Sequence, residues 1–131
     1  MSQENVELVR GAFEVYNAWN REAMRGFYDP DVIMRPPEGW PEPGPYVGRE
    51  AVMRQVWQMR ETWDEDTLEP ISEFIDSGDR VAVRAAWRTA GSGPEFTLET
   101  TFVYAFRNGK CVSHEFFWDH AEALEAVGLS E

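Results

Sequence analysis

VSHEFFWDH, residues 112–120, carries both histidines of the chain, and its reading decides the fold. Every second residue from Val112 gives Val112, His114, Phe116 and Trp118, the period-two spacing of one face of a strand. The preceding FRNGKC, residues 106–111, closes a hairpin onto this strand, and its loop length sets which residues of the previous strand lie opposite. A two-residue turn places Phe102 opposite Glu115. A three-residue loop over 107–109 places Phe102 opposite His114, Thr100 opposite Phe116 and Leu98 opposite Trp118. The second register gathers the aromatics on one face and leaves Ser113 and Glu115 on the other, so it is the expected one.

Three more strand-like runs precede this one, over 68–75, 80–89 and 95–106, separated by the turn sequences DSGD and AGSGP. Before them the pattern is helical. Val6, Val9, Phe13 and Tyr16 share one face of a first helix that ends near Ala18 or Trp19, and Asn20 caps a second over 21–27. Asp29 and Pro30 are expected to stop that helix before a short strand over 31–35.

The segment RPPEGWPEPGPYVG, residues 35–48, holds five prolines and excludes regular structure, leaving either a binding loop or a stiff surface connection. Val52, Val56, Met59 and Trp63 mark a third helix over 48–63, with Arg49, Glu50, Arg54, Arg60 and Glu61 as its wet face. Asp119 caps a last helix covering 123–127, which Gly128 ends. Helices first and a meander of long antiparallel strands afterwards specify one α+β domain over 1–131.

The 24 acidic residues against 12 basic ones give a net charge of −12, which disfavours nucleic acid and anionic membranes as partners. The single cysteine, Cys111, forms no intrachain disulfide, and neither an apolar signal core nor a membrane span is visible, so a cytoplasmic location is expected. His114 and His120 do not have metal-ligand spacing, and no metal or cofactor is expected.

His114 is the strongest candidate for chemistry. On an aromatic face it can act as a general acid or base near neutral pH, line a pocket without reacting, or be a satisfied core histidine. Tyr16, on the inner face of helix one, can donate a hydrogen bond to a ligand carbonyl or simply pair with backbone. Trp40, Trp57, Trp87 and Trp118 make either an aromatic box for a flat ligand or ordinary core. On the other face of the sheet, Thr101, Val103, Ser113 and Phe117 would form the seam of a homodimer, since an exposed Phe in mid-sheet needs a cover.

The order FYDPDV, proline-rich loop, GREAV, GDRVAV and NGKCVSHEFFWDHAEAL resembles the SnoaL-like proteins of the nuclear-transport-factor-2-like superfamily over essentially the whole chain. The resemblance implies a cone, a strongly curved antiparallel sheet around the helices. It also implies a dimer and an apolar pocket for a hydrophobic small molecule, between the concave face and the first three helices. Trp40, Val56 and Trp57 would line that pocket on one side. Trp87, Leu98, Thr100, Phe102, Phe116 and Trp118 would line it on the other.

Isomerase, cyclase or lyase chemistry on a carbonyl compound is what such a pocket implies, with a noncatalytic binding or interaction module as the alternative. The catalytic positions of the related ketosteroid isomerases fall on Pro36, Ala12 and Phe102, and those of limonene epoxide hydrolases on Ala85, Trp87 and Phe116. None of these can move a proton, so neither of those two activities is expected.

Overall fold

The structure, a computed structural model, describes residues 2–40, 44–61, 65–90 and 97–128. The chain runs α1 (Ser2–Asn17), α2 (Arg21–Phe27), β1 (Tyr28–Arg35), β2 (Tyr46–Val47), α3 (Arg49–Arg60), β3 (Glu65–Pro70), β4 (Ile75–Ser77), β5 (Arg80–Ala90), β6 (Thr97–Arg107), β7 (Lys110–Phe117) and α4 (His120–Ala126). The strands form one curved sheet in the order β2-β1-β7-β6-β5-β3, with β4 also paired to β5. β1 and β7 run parallel and the other pairs antiparallel, so the α+β cone is built on a mixed sheet. No helix among the described residues is long and apolar enough to cross a membrane.

Asn20 caps α2 by accepting from the Ala23 N–H at 3.1 Å. Asp29 and Pro30 do not act as a stop, because the chain turns extended at Tyr28 and carries both inside β1. The expected strand over 68–75 is two pieces, β3 and β4, each pairing with a different length of β5. Trp63 and residues 95–96 of the expected elements lie outside the described residues.

The hairpin corrects the expected register. Arg107 pairs with Lys110, so the turn is the two-residue Asn108-Gly109, with φ of 54° and 77°, the two positive values of a type I′ turn. Beyond it Phe106 faces Cys111 but Ala105 faces Ser113, so β7 carries one extra residue, a bulge at Val112. The bulge shifts pairing by one and sets Tyr104 opposite His114 and Phe102 opposite Phe116. The aromatics therefore share a face, by a tight turn and a bulge instead of a longer loop. Gly109→Ala is expected to lower stability by about 1–2 kcal/mol, because the cost is the left-handed backbone alone; nothing lies within 4 Å of the added methyl. Gly11→Ala, mid-helix and equally uncrowded, should raise it by about 0.5–1 kcal/mol. Urea unfolding midpoints of the two variants check both signs.

The main core lies between the concave face and the helices. Val9 and Phe13 of α1 and Val52, Met53 and Trp57 of α3 pack on Val83, Ala85 and Phe102 of the sheet. Arg60, expected on the wet face of α3, is fully buried, since it continues the row Met53, Trp57, Arg60 at i, i+4, i+7.

On the outer face, Ala82, Val103 and Phe117 are met by Ala123 of α4 and by Val127, which caps its C-terminus. Asp119 starts that helix by accepting from the Ala121 and Glu122 N–H groups. The cover that Phe117 demanded is thus supplied within the chain. Thr101 is also buried there, held by Arg84 at 2.9 Å and His120 at 3.0 Å. Ser113 is half-buried and pairs with Ala105.

Candidate functional site

A cavity of about 80 Å³ lies between α1 and the concave face of the sheet. Phe13 and Tyr16 of α1, Met24 of α2 and Tyr28 of β1 form one wall. Trp87, Thr100, Phe102, Tyr104, His114 and Phe116 form the other. Tyr16, Trp40, Val56, Leu68, Leu98 and Phe116 are its half-exposed members. Among the described residues no carboxylate lines it.

His114 is the polar centre of the sheet wall. It is 5 % exposed, with ring centroids 4.3 Å from Tyr104, 4.7 Å from Phe116 and 5.1 Å from Phe102. Burial among rings disfavours the imidazolium and lowers its pKa to about 3, so the ring is neutral at neutral pH. Nδ1 lies 3.1 Å from the Tyr28 hydroxyl, while Nε2 is buried without a hydrogen-bond partner among the described residues.

The hydrogen-bond inventory selects the tautomer. If Nδ1–H donated to Tyr28, the buried phenol proton would be left without an acceptor as well. If Tyr28 donates to Nδ1, only Nε2–H is unpaired. Nε2 is therefore a donor, on a residue that lines the cavity.

Tyr16 is tied to a buried quartet. Its hydroxyl donates to Asp66 Oδ2 at 2.8 Å, and Trp87 Nε1 donates to the same oxygen at 2.6 Å. Arg60 donates to Asp66 Oδ1 from Nε at 3.0 Å and Nη2 at 2.8 Å, and from Nη1 to the Tyr16 carbonyl. The guanidinium also lies 3.8 Å from the ring centroids of Tyr16 and Trp19. Burial, with the Asp66 charge beside it, holds the Tyr16 pKa well above the usual phenol value. Asp66 accepts four hydrogen bonds and has no lone pair free for a substrate proton. The one proton of Tyr16 is likewise engaged, which removes it as a free donor to a ligand carbonyl.

Of the residues named from the sequence, His114, Tyr16, Trp40, Val56, Trp87, Leu98, Thr100, Phe102 and Phe116 line this cavity. Trp57 and Trp118 are not on its wall. Trp57 is core, edge-on to Tyr16 at 6.5 Å, because it sits one turn before Arg60 on the buried row of α3. Trp118 follows the end of β7, is 40 % exposed, lies tilted against Trp40 with ring centroids 5.8 Å apart and donates to the Glu38 carbonyl at 2.8 Å. The sequence reading missed Arg60, Asp66 and the Tyr28 contact. An arginine completing an apolar helical row was the signal for the first, since it demands a buried acid.

A family model described as a SnoaL-like domain matches residues 9–114. Among solved structures, a nuclear-transport-factor-2-like protein of unknown function from Burkholderia pseudomallei is 28 % identical, with TM-score 0.76, covering 95 % of this chain and 98 % of that one. TerC, crystallised with polyporic acid, is 23 % identical, with TM-score 0.76 and the same coverage. IdmH of Streptomyces antibioticus, provisionally assigned as a polyketide cyclase, is 20 % identical, with TM-score 0.73, covering 86 % of this chain and 89 % of that one. No curated protein matches in sequence.

Proposed function

The chain belongs to the SnoaL-like domain family, and from that premise we propose that its cavity takes up a hydrophobic carbonyl compound and polarises the carbonyl oxygen through Nε2–H of neutral His114. The observation that carries this reading is that Nε2 of His114, a residue of the largely apolar cavity wall, has no hydrogen-bond partner among the described residues. A buried donor without an acceptor costs free energy, and a ligand oxygen removes that cost. Polarising a carbonyl by a neutral imidazole is an established way to favour an enolate, because the donor needs no charge of its own. This is the opening step of isomerase, cyclase or lyase chemistry, the activity class to which the provisional assignment of IdmH also points.

A second reading, binding without turnover, is favoured by one observation. Asp66, the carboxylate that the cavity-lining Tyr16 and Trp87 bind, is saturated by them and by Arg60, so it does not serve as the base that enolisation requires.

Acetophenone is a suitable probe for both. It is expected to bind the protein in a calorimeter, and His114→Phe is expected to weaken it about three- to tenfold, the worth of one net hydrogen bond. Unchanged affinity in His114→Phe, or no binding of aryl aldehydes and ketones at all, would contradict the reading. Exchange of the acetophenone methyl protons in deuterated buffer, followed by NMR, separates the two cases: catalysed exchange supports enolisation, and bound probe without exchange supports a binding module.

A further inference from the structure

Three phenols line the cavity, and two of them have committed their protons. Tyr16 donates to Asp66 and Tyr28 to His114 Nδ1. Tyr104 is different. The residue is 2 % exposed, and its hydroxyl makes no hydrogen bond to another described residue while keeping some accessible surface; burial of the side chain holds its proton in place by raising the pKa well above the usual phenol value.

Its position matters as much as its free proton. Tyr104 on β6 is the direct cross-strand neighbour of His114 on β7, and their ring centroids are 4.3 Å apart. Two neighbouring strands therefore set side by side two residues that line one apolar cavity, each with a polar group that has no partner among the described residues. The bulge at Val112 produces this pairing; without it the two-residue turn would set Ser113 opposite Tyr104 and Glu115 opposite Phe102, turning His114 to the other face.

We propose that Tyr104 is a second donor to the ligand oxygen that His114 binds, so that Oη–H and Nε2–H together form a two-donor oxygen site. This rests on the reading of the cavity as a carbonyl site and specifies its ligand. Both donors are neutral, so the site favours an oxygen that gains negative charge by polarisation over a permanent anion, which would enter without a compensating cation. The space of about 80 Å³ is roughly half that of an engineered cavity known to hold benzene. Only a compact head fits inside, with the remainder at the ring-lined opening beside Trp40 and Phe116. The class is an aryl aldehyde or aryl methyl ketone, entered carbonyl first.

The infrared stretch of the bound carbonyl reads the donors directly. In the wild-type protein the acetophenone stretch is expected to lie at lower frequency than in an apolar solvent. Tyr104→Phe, which keeps the ring and its packing, is expected to return part of that shift and to weaken binding about three- to tenfold. If His114→Phe alters both readouts and Tyr104→Phe alters neither, the second donor is overturned while the carbonyl site stands. If acetophenone fails to bind the wild-type protein, the carbonyl site fails, and the two-donor site with it.

Discussion

Asp66→Ala is expected to lose about 3–5 kcal/mol of stability, the usual consequence of leaving one member of a buried ion pair uncompensated. The Arg60 and Asp66 side chains are both 0 % exposed and 2.8 Å apart. Removing the carboxylate strands the guanidinium among Tyr16, Trp19 and Trp57, where only the Tyr16 carbonyl and ring faces remain to it. The Tyr16 hydroxyl and the Trp87 indole lose their shared acceptor as well. Replacing both charges, as in Arg60→Met with Asp66→Leu, should cost less than Asp66→Ala alone, because no charge is left behind although two neutral donors are. Urea unfolding at neutral pH measures all three proteins. A loss below about 1 kcal/mol for Asp66→Ala would mean that the pair behaves like an exposed one.

The second large effect is on acid stability. His114 has a folded pKa of about 3 against an ordinary value of 6.5. Between those values the unfolded chain binds a proton at this residue that the folded chain refuses. Above about pH 6.5 both states are neutral there and the residue contributes no pH dependence. As the pH falls from about 6.5 to about 3, its contribution lowers stability by roughly 1.4 kcal/mol per unit, close to 5 kcal/mol in all. Carboxylates add their own acid dependence, so the useful quantity is the difference between wild type and His114→Phe. The variant's stability should decline less steeply over this window. Parallel curves would show that the imidazole titrates normally, and the buried environment assigned to it would be wrong.

Much of this architecture is legible in the sequence because alternation survives local irregularity. His114 and Phe116 repeat every second residue, and so do Phe102, Tyr104 and Phe106, so the two aromatic strand faces are visible before any pairing is known. Which residues meet is not visible. A turn and a bulge each shift the register by one, and only their sum decides that His114 faces Tyr104 instead of Phe102.

The polar half of the site is hidden for a different reason. Asp66 stands in an acidic run that resembles a solvated connection, and Arg60 ends a helix whose other charged residues, Arg49, Glu50 and Arg54, read together with it as a wet face. Their burial follows from the meeting of α1, α3, β3 and β5, elements from four separate parts of the chain. Trp57 and Trp118 show the converse. Aromatic character places a residue near the inside, and only the packed structure separates a cavity wall from core or rim.

The central claim is that His114, a residue of the cavity wall, is a neutral imidazole that accepts from Tyr28 at Nδ1 and carries its proton on the unpaired Nε2. Nitrogen-15 NMR of the labelled histidine ring tests it most directly, followed from about pH 7.5 down to about pH 4.5, a window well above the lowered pKa. The account predicts a protonated, pyrrole-type Nε2 and an unprotonated, pyridine-type Nδ1 that hold their shifts throughout. Titration near the ordinary histidine value, or a proton resident on Nδ1, would contradict it.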